Sequence, residues 1–329
     1  GKQRFIILHT ERISAGLQKD EVINMIKKSR KSKINWGLTL LAIPGTAVLF
    51  AIYYIPMFGL VIPFKRIDYS RGIFGSDWIS PVFKNFEFFF NSNDAVRITY
   101  NTLSMNFCFI LITVLVSIGL ALLMYKFSAR KVKLFQTCMF VPYFISWVVA
   151  SYVVYALLCP DMGVMSVLCK KLGFSVPNFY NTPHYWRIIM PLAYLWKNVG
   201  YMTLLYYATL LGMDIHLLEA AAIDGATKKQ RTWYIMLPFL KPTIVLMVLL
   251  QTGKIFNADF GMFYFLPRNS GTLYRVTDVI DTYVYRALRD TGDIGMASAM
   301  GLFQTLAGFA TLYVINVVIR KIDRDNALF

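Results

Sequence analysis

Apolar positions in this chain run on continuously; they do not alternate with polar ones. Six stretches of roughly 20 mostly apolar residues lie at about 35–60, 100–125, 134–158, 188–211, 243–265 and 295–319, each long enough to cross the hydrocarbon core of a bilayer as a helix. A soluble fold would have to hide all six from water in one core. The pattern therefore predicts an all-α membrane protein with six transmembrane helices, in which a polar leader over residues 1–34 precedes a single membrane domain over 35–329. The leader reads either as a solvated tail or, from its amphipathic look around Val22 and Ile26, as an interfacial helix. The first run follows the leader and is long enough to anchor, so it does not read as a cleavable signal. Proline sits in or beside the runs at Pro44, Pro56, Pro142, Pro191, Pro238 and Pro242. It removes a backbone donor and kinks a helix, which lipid tolerates only where neighbours satisfy the freed carbonyl. These helices belong in a packed bundle.

Composition agrees with the pattern, since 57% of the 329 residues are hydrophobic and only 16% charged, against about 25% charged in soluble domains. The net charge of +16 would suit nucleic acid, but its placement favours a membrane. Lys27, Lys28, Arg30, Lys31 and Lys33 precede the first run. Lys126, Arg130, Lys131 and Lys133 follow the second, Lys228, Lys229 and Arg231 the fourth, and Arg320, Lys321 and Arg324 the last. The other connections balance their basic residues with Asp68, Asp77, Glu87, Asp94, Asp161, Asp278, Asp281, Asp290 and Asp293. By the positive-inside rule both termini face the cytoplasm, and so does the loop over 212–238. The outer segments FEFFFNSNDAVR and PNFYNTPHYWR are aromatic, as interfacial belts are. The four cysteines form no metal pattern; Cys159 and Cys169 could pair across an oxidising face, but free thiols are the expectation.

One polar stretch interrupts this plan. LEAAAIDGATKKQRTWYIMLP, residues 218–238, is placed to form a helix capped by Asp214, built on Ala220, Ala221 and Ala222 and ended by Gly225 in a left-handed conformation. Thr227 and Gln230 then have the spacing of a capping box for a second helix, which is expected to end near Pro238. The alanines leave one side thin enough for another protein to approach closely; a plain interfacial connector is the other reading.

Glu219-Ala220-Ala221, Gly225, Ile235 and Leu237-Pro238 resemble the EAA motif of ABC importer membrane subunits, and Asp224-Gly225-Ala226 matches its sugar-importer variant. VIDTYVYRAL and IGMASAMGLFQT further resemble polysaccharide and oligosaccharide permeases of the LplB type. The resemblance covers residues from about 100 onward. It implies a type I ABC importer permease fold, a second homologous permease subunit, two ATPase subunits that bind ATP and Mg, and an extracytoplasmic binding protein that delivers sugar. It also implies that Glu219, Ala220, Ala221, Asp224, Gly225 and Ala226 form a coupling helix seated in an ATPase cleft. No phosphate-cradling glycine loop and no catalytic or metal cluster emerges from the sequence, so the chain reads as a permease subunit without an activity or cofactor of its own, and without nucleic acid as a partner.

Charges inside the runs point to the cargo. Lys197 lies roughly 15 Å along its run, near mid-bilayer, and Lys254 also falls within an apolar stretch. A charge at that depth costs about 2.5–3.5 kcal/mol on insertion scales, so it should face a partner or a wet cavity. Trp196, Asn198 and Tyr201 accompany the first lysine, and Gln251, Asn257 and Asp259 the second. Pairing of Lys254 with Asp259, or snorkelling of either lysine, competes with a cargo pathway. Amides and aromatic rings suit sugars, and two lysines suit carboxylates. The expectation is an oligosaccharide, with acidic, uronate-containing chains favoured. A secondary sugar transporter is the alternative, although it gives the EAA spacing no purpose; a membrane-embedded glycan enzyme lacks a catalytic cluster.

Overall fold

The computed structural model describes residues 36–87 and 91–322, which are largely helical. Two units divide the chain after Gly59. The first holds α1 (Trp36–Leu49), a π turn over Phe50–Tyr54 and the start of a tighter helix, Ile55–Phe64, within which the division falls. The leader, with its interfacial-helix reading, lies outside the described residues.

After that helix the second unit has a two-stranded antiparallel ribbon, β1 (Lys65–Arg66) against β2 (Asp77–Trp78). The helix α2 (Asn93–Met124) follows, capped by Ser92, whose hydroxyl accepts from the Asp94 amide at 3.1 Å. It starts well before the apolar run at residue 100, because the Ser92 cap and Asp94 in the first turn support polar residues there. Next come α3 (Ala129–Phe144), α4 (Trp147–Leu158) and α5 (Pro183–Leu211). The short α6 (Ile215–Ile223) and α7 (Lys228–Arg231) lead into α8 (Leu237–Thr252), and α9 (Phe260–Phe265), α10 (Ile280–Arg286) and α11 (Ile294–Ile322) complete the bundle.

Among the described residues, four helical segments are long and apolar enough to cross a membrane: Trp36–Phe64, Asn93–Met124, Lys228–Thr252 and Ile294–Lys321. A fifth is reached if α3 and α4 count as one span, and these are bent by 102°. α5 is 29 residues long but carries Arg187 and Lys197 and is less apolar. Three expectations need correction. The run at 134–158 is not one helix: Pro142 cannot donate, and Ser146 starts α4 afresh by accepting from the Val149 amide. The run at 243–265 stops as a helix at Thr252 and resumes only at Phe260. The second helix of the polar loop does not end near Pro238. The backbone passes through a π turn at Thr232–Met236, where the Leu237 amide donates to the Thr232 carbonyl. The wider turn absorbs the proline's missing donor and bulky ring, and the helix runs from Lys228 to Thr252.

Three buried clusters hold the unit together among the described residues, the smallest being Ile98, Ile280 and Met300 where α2, α10 and α11 meet. At one end Phe109, Trp147, Trp186, Met190, Met262, Phe263 and Leu266 pack around α4, α5 and α9; at the other Met202, Tyr206, Leu210, Met213, Met236 and Leu240 lock the polar loop to α5 and α8. Asp278, only 2% exposed, pairs with Arg286 and, at 3.4 Å, with Arg97, pinning the segment before α10 to α2. α5 also crosses α3 at Gly200, where an added Cβ would stand 1.9 Å from the Met139 carbonyl oxygen. Gly200→Ala should force these helices apart at a cost of about 1–3 kcal/mol, partly offset by better helix propensity. Gly119→Ala meets nothing within 4 Å. Thermal unfolding in detergent should therefore show a lower Tm for the Gly200 variant alone; equal Tm values would refute the close crossing.

Candidate functional site: a cavity at two helix breaks and an exposed loop

Breaking a helix inside apolar sequence frees backbone groups that lipid cannot satisfy. At the α3–α4 bend the Lys197 ammonium, reaching from α5, donates to the Tyr143 carbonyl at 3.0 Å and to the Ile145 carbonyl. It lies over the Trp147 ring, 5.3 Å from its centre. The α8–α9 break is satisfied residue by residue. Asn106 of α2 donates to the Ile255 and Asn257 carbonyls at 2.8 and 3.0 Å. Gln304 of α11 donates to the Phe256 carbonyl at 2.8 Å, and the Asp281 carboxylate accepts from the Ala258 amide at 2.7 Å. Asp259 caps α9 by accepting from the Met262 amide, and its other oxygen accepts from the Trp147 indole at 2.5 Å. The two breaks are thus joined through Trp147 and Asp259.

Beside the α8–α9 break lies a cavity of about 360 Å³, lined by Asn106, Phe109, Tyr194, Asn198, Gln251, Lys254, Asn257 and Asp259 among others. Tyr194 stacks on Phe109 with ring centres 4.4 Å apart, giving the wall an aromatic face. Asn198 spends its amide on its own helix, donating to the Tyr194 carbonyl at 3.0 Å. The Gln251 amide nitrogen is buried with no partner among the described residues. Lys254 projects from the first turn of the break, and its ammonium has no partner among the described residues. The cavity therefore offers one cation, several amides and an aromatic wall, a set suited to a hydroxylated or carboxylated ligand.

The polar loop forms a separate feature. Asp214 caps α6, accepting from the His216 amide at 3.0 Å. Gly225 has φ +82°, the left-handed turn expected of it. Thr227 and Gln230 complete a reciprocal capping box, with bonds of 3.3 and 2.8 Å. Leu218 packs on the core cluster beneath and Arg231 donates to its carbonyl at 3.4 Å, while Ile215, Leu217 and Ile223 stay exposed, the last at 87%.

Comparison with known proteins decides the family. Residues 114–324 match the binding-protein-dependent transport system inner membrane component. The chain belongs to that family. Protein LplB of Bacillus subtilis strain 168 is 31% identical over 290 residues, covering 88% of this chain and 90% of that one. The polygalacturonan/rhamnogalacturonan transport system permease protein YteP of the same strain is 30% identical, covering 88% and 89%. Two solved structures share the fold at 28% identity. A bacterial ABC transporter involved in import of the acidic polysaccharide alginate has a TM-score of 0.80, covering 92% of this chain and 99% of that one. A bacterial alginate ABC transporter in complex with a periplasmic protein bound to alginate pentasaccharide has 0.77, covering 88% and 95%. The chain is an ABC transporter permease, a membrane subunit of the inner membrane.

In this permease Asn198, Gln251, Lys254, Asn257 and Asp259 line one cavity, although the sequence sets Asn198 beside Lys197 and the other three beside Lys254. Lys197, Trp196 and Tyr201 do not line it. Lys197 serves the bend, Tyr201 stacks on Tyr143 at 5.0 Å, and Trp196 is 40% exposed. Lys254 does not pair with Asp259, which Trp147 and Met262 occupy. Asn106, Tyr194, Trp147, Asp281 and Gln304 were missed. A signal existed for the breaks: Pro142 followed by Ser146, and Gly253 followed by Asp259, each place a helix stop just before a capping residue. The partners of those breaks come from other helices and leave no local mark. Lys197→Met removes the donor to two carbonyls, so Tm should fall by several degrees with or without cargo; Lys254→Met should leave Tm unchanged. A reversed ranking in a thermal-shift measurement would overturn these assignments.

Proposed function

We propose that this permease is one membrane half of an importer of oligosaccharides, with acidic, uronate-containing chains preferred to neutral ones. The observation that carries the reading is the cavity at the α8–α9 break, where the unpartnered Lys254 stands among amides and an aromatic wall. A carboxylate there would neutralise a charge otherwise costly at that depth, and the sugar hydroxyls would meet Asn198, Gln251 and Asn257. The named cargoes of similar proteins, polygalacturonan and alginate, are uronate polymers and support the reading.

In this proposal the membrane domain has six spans, with α3–α4 counted as one and α5 as another, and both termini and the loop over 212–238 are cytoplasmic. A second homologous permease subunit completes the pathway and an extracytoplasmic binding protein delivers the sugar. Two ATPase subunits bind ATP and Mg. Glu219, Ala220, Ala221, Asp224, Gly225 and Ala226 form the surface that seats in an ATPase cleft. The helix from Lys228 to Thr252 spans roughly 37 Å and ends at the turn that bears Lys254. Movement of the loop is carried along one rod to the cavity. A secondary transporter would leave the exposed, doubly capped loop without a task.

Two measurements test the proposal. In proteoliposomes holding the full complex, Lys254→Met should raise the half-saturating concentration of an oligogalacturonate roughly 10-fold or more and leave a neutral oligosaccharide unaffected. Equal use of both by the parent would end the acidic reading. For coupling, a cysteine at Ala221 in a cysteine-free chain should react with an impermeant maleimide only from the cytoplasmic side, and be shielded once the ATPase subunits bind. Labelling from outside would invert the topology, and undiminished labelling in the assembled complex would remove the docking role.

A further inference from the structure

A second cavity, of about 430 Å³, lies beside the first and is lined by Ser151, Tyr152, Tyr155, Tyr264, Arg268 and Asn269 with Val148 and Phe265. That volume falls in the usual range of small-ligand sites, roughly 300–1,000 Å³. Val148 lines it, while the adjacent Trp147 donates to Asp259 of the first cavity. Arg268 and Asn269 of the second cavity follow α9, in the connection that the proposed topology puts on the outer face.

Its cation is held in place by the backbone. Arg268 and Asn269 have φ of 56° and 48°, a left-handed pair that non-glycine residues adopt only when surroundings impose it. The imposing contacts are visible. The Arg268 and Asn269 amides return to the Phe265 and Tyr264 carbonyls at 3.1 and 3.0 Å. The Asn269 side-chain oxygen accepts from Tyr274 at 2.9 Å and from Arg286 at 3.3 Å. Arg268 is thereby presented over the Tyr155 ring, 4.2 Å from its centre. Nearby Arg97 and Arg286 are committed to the buried Asp278, whereas Arg268 has no carboxylate partner among the described residues. An exposed guanidinium supported on a ring keeps its planar fork of donors free, and that fork matches a carboxylate. The tyrosines and Ser151 supply ring faces and hydroxyls for a sugar.

We propose that this outer cavity is a carboxylate-recognition site, in which Arg268 binds the uronate group of an acidic oligosaccharide before the chain reaches Lys254. The site rests on the acidic-cargo reading above, and the test separates the two. Oligogalacturonate and its methyl ester share ring and linkage but differ in charge. Uptake of each is measured in proteoliposomes with the complete complex, for the parent, Arg268→Gln and Tyr152→Glu. Tyr152 is 67% exposed, so the glutamate adds a like charge to the cavity without disturbing the core. The parent should prefer the acid, and in both variants the ratio of acid to ester uptake should fall roughly 10-fold or more. A parent indifferent to the charge overturns the cargo reading and the site together. A parent that prefers the acid, with both variants equally selective, overturns the site alone. Loss of assembly in Arg268→Gln, with selectivity kept in Tyr152→Glu, would assign Arg268 to a subunit contact and also overturn the site.

Discussion

Lipid offers no hydrogen bonds, so a helix can break inside a membrane only where protein groups replace the missing partners. Two segments of this permease break in that way, and the rest of the bundle is organised around them. Lys197 answers the carbonyls at the α3–α4 bend. Asn106, Gln304 and Asp281 answer the carbonyls of residues 255, 256 and 257 and the amide of Ala258 in turn. These donors and acceptors come from α2, α5, α11 and the start of α10, so neither break can form until the helices around it have packed.

The same requirement creates the cavity. A turn that is not helical leaves a gap beside its neighbours, and the side chains that satisfy it are polar. Asn106 and Asp259 hold the break and also line the space. Trp147 ties one break to the other through Asp259, which brings the bend of α3–α4 and the end of α8 into one hydrogen-bonded unit. The opposite end of the α8 rod carries the capped loop with its exposed Ile215, Leu217 and Ile223. One helical segment, Lys228–Thr252, thus runs from an exposed apolar loop at one end to a polar turn at the other.

Local sequence determined the membrane class and the caps of the polar loop, whose causes lie within a few residues. The apolar runs, the Asp214 cap, the left-handed Gly225 and the Thr227–Gln230 box were legible because length, capping chemistry and glycine's freedom are local. So was the membrane class, since lipid selects on the apolar run itself. Tertiary structure decided whether a run stays whole and what its polar residues do. The run at 243–265 reads as continuous helix until Asn106, Gln304 and Asp281 stand ready to satisfy its carbonyls and amide from distant positions. Lys197 and Lys254 look alike in sequence, each a lysine inside apolar residues. Packing sets Lys197 against the carbonyls of a bend on another helix and leaves Lys254 facing a cavity, because which backbone groups lie within reach of an ammonium is fixed only when the helices meet.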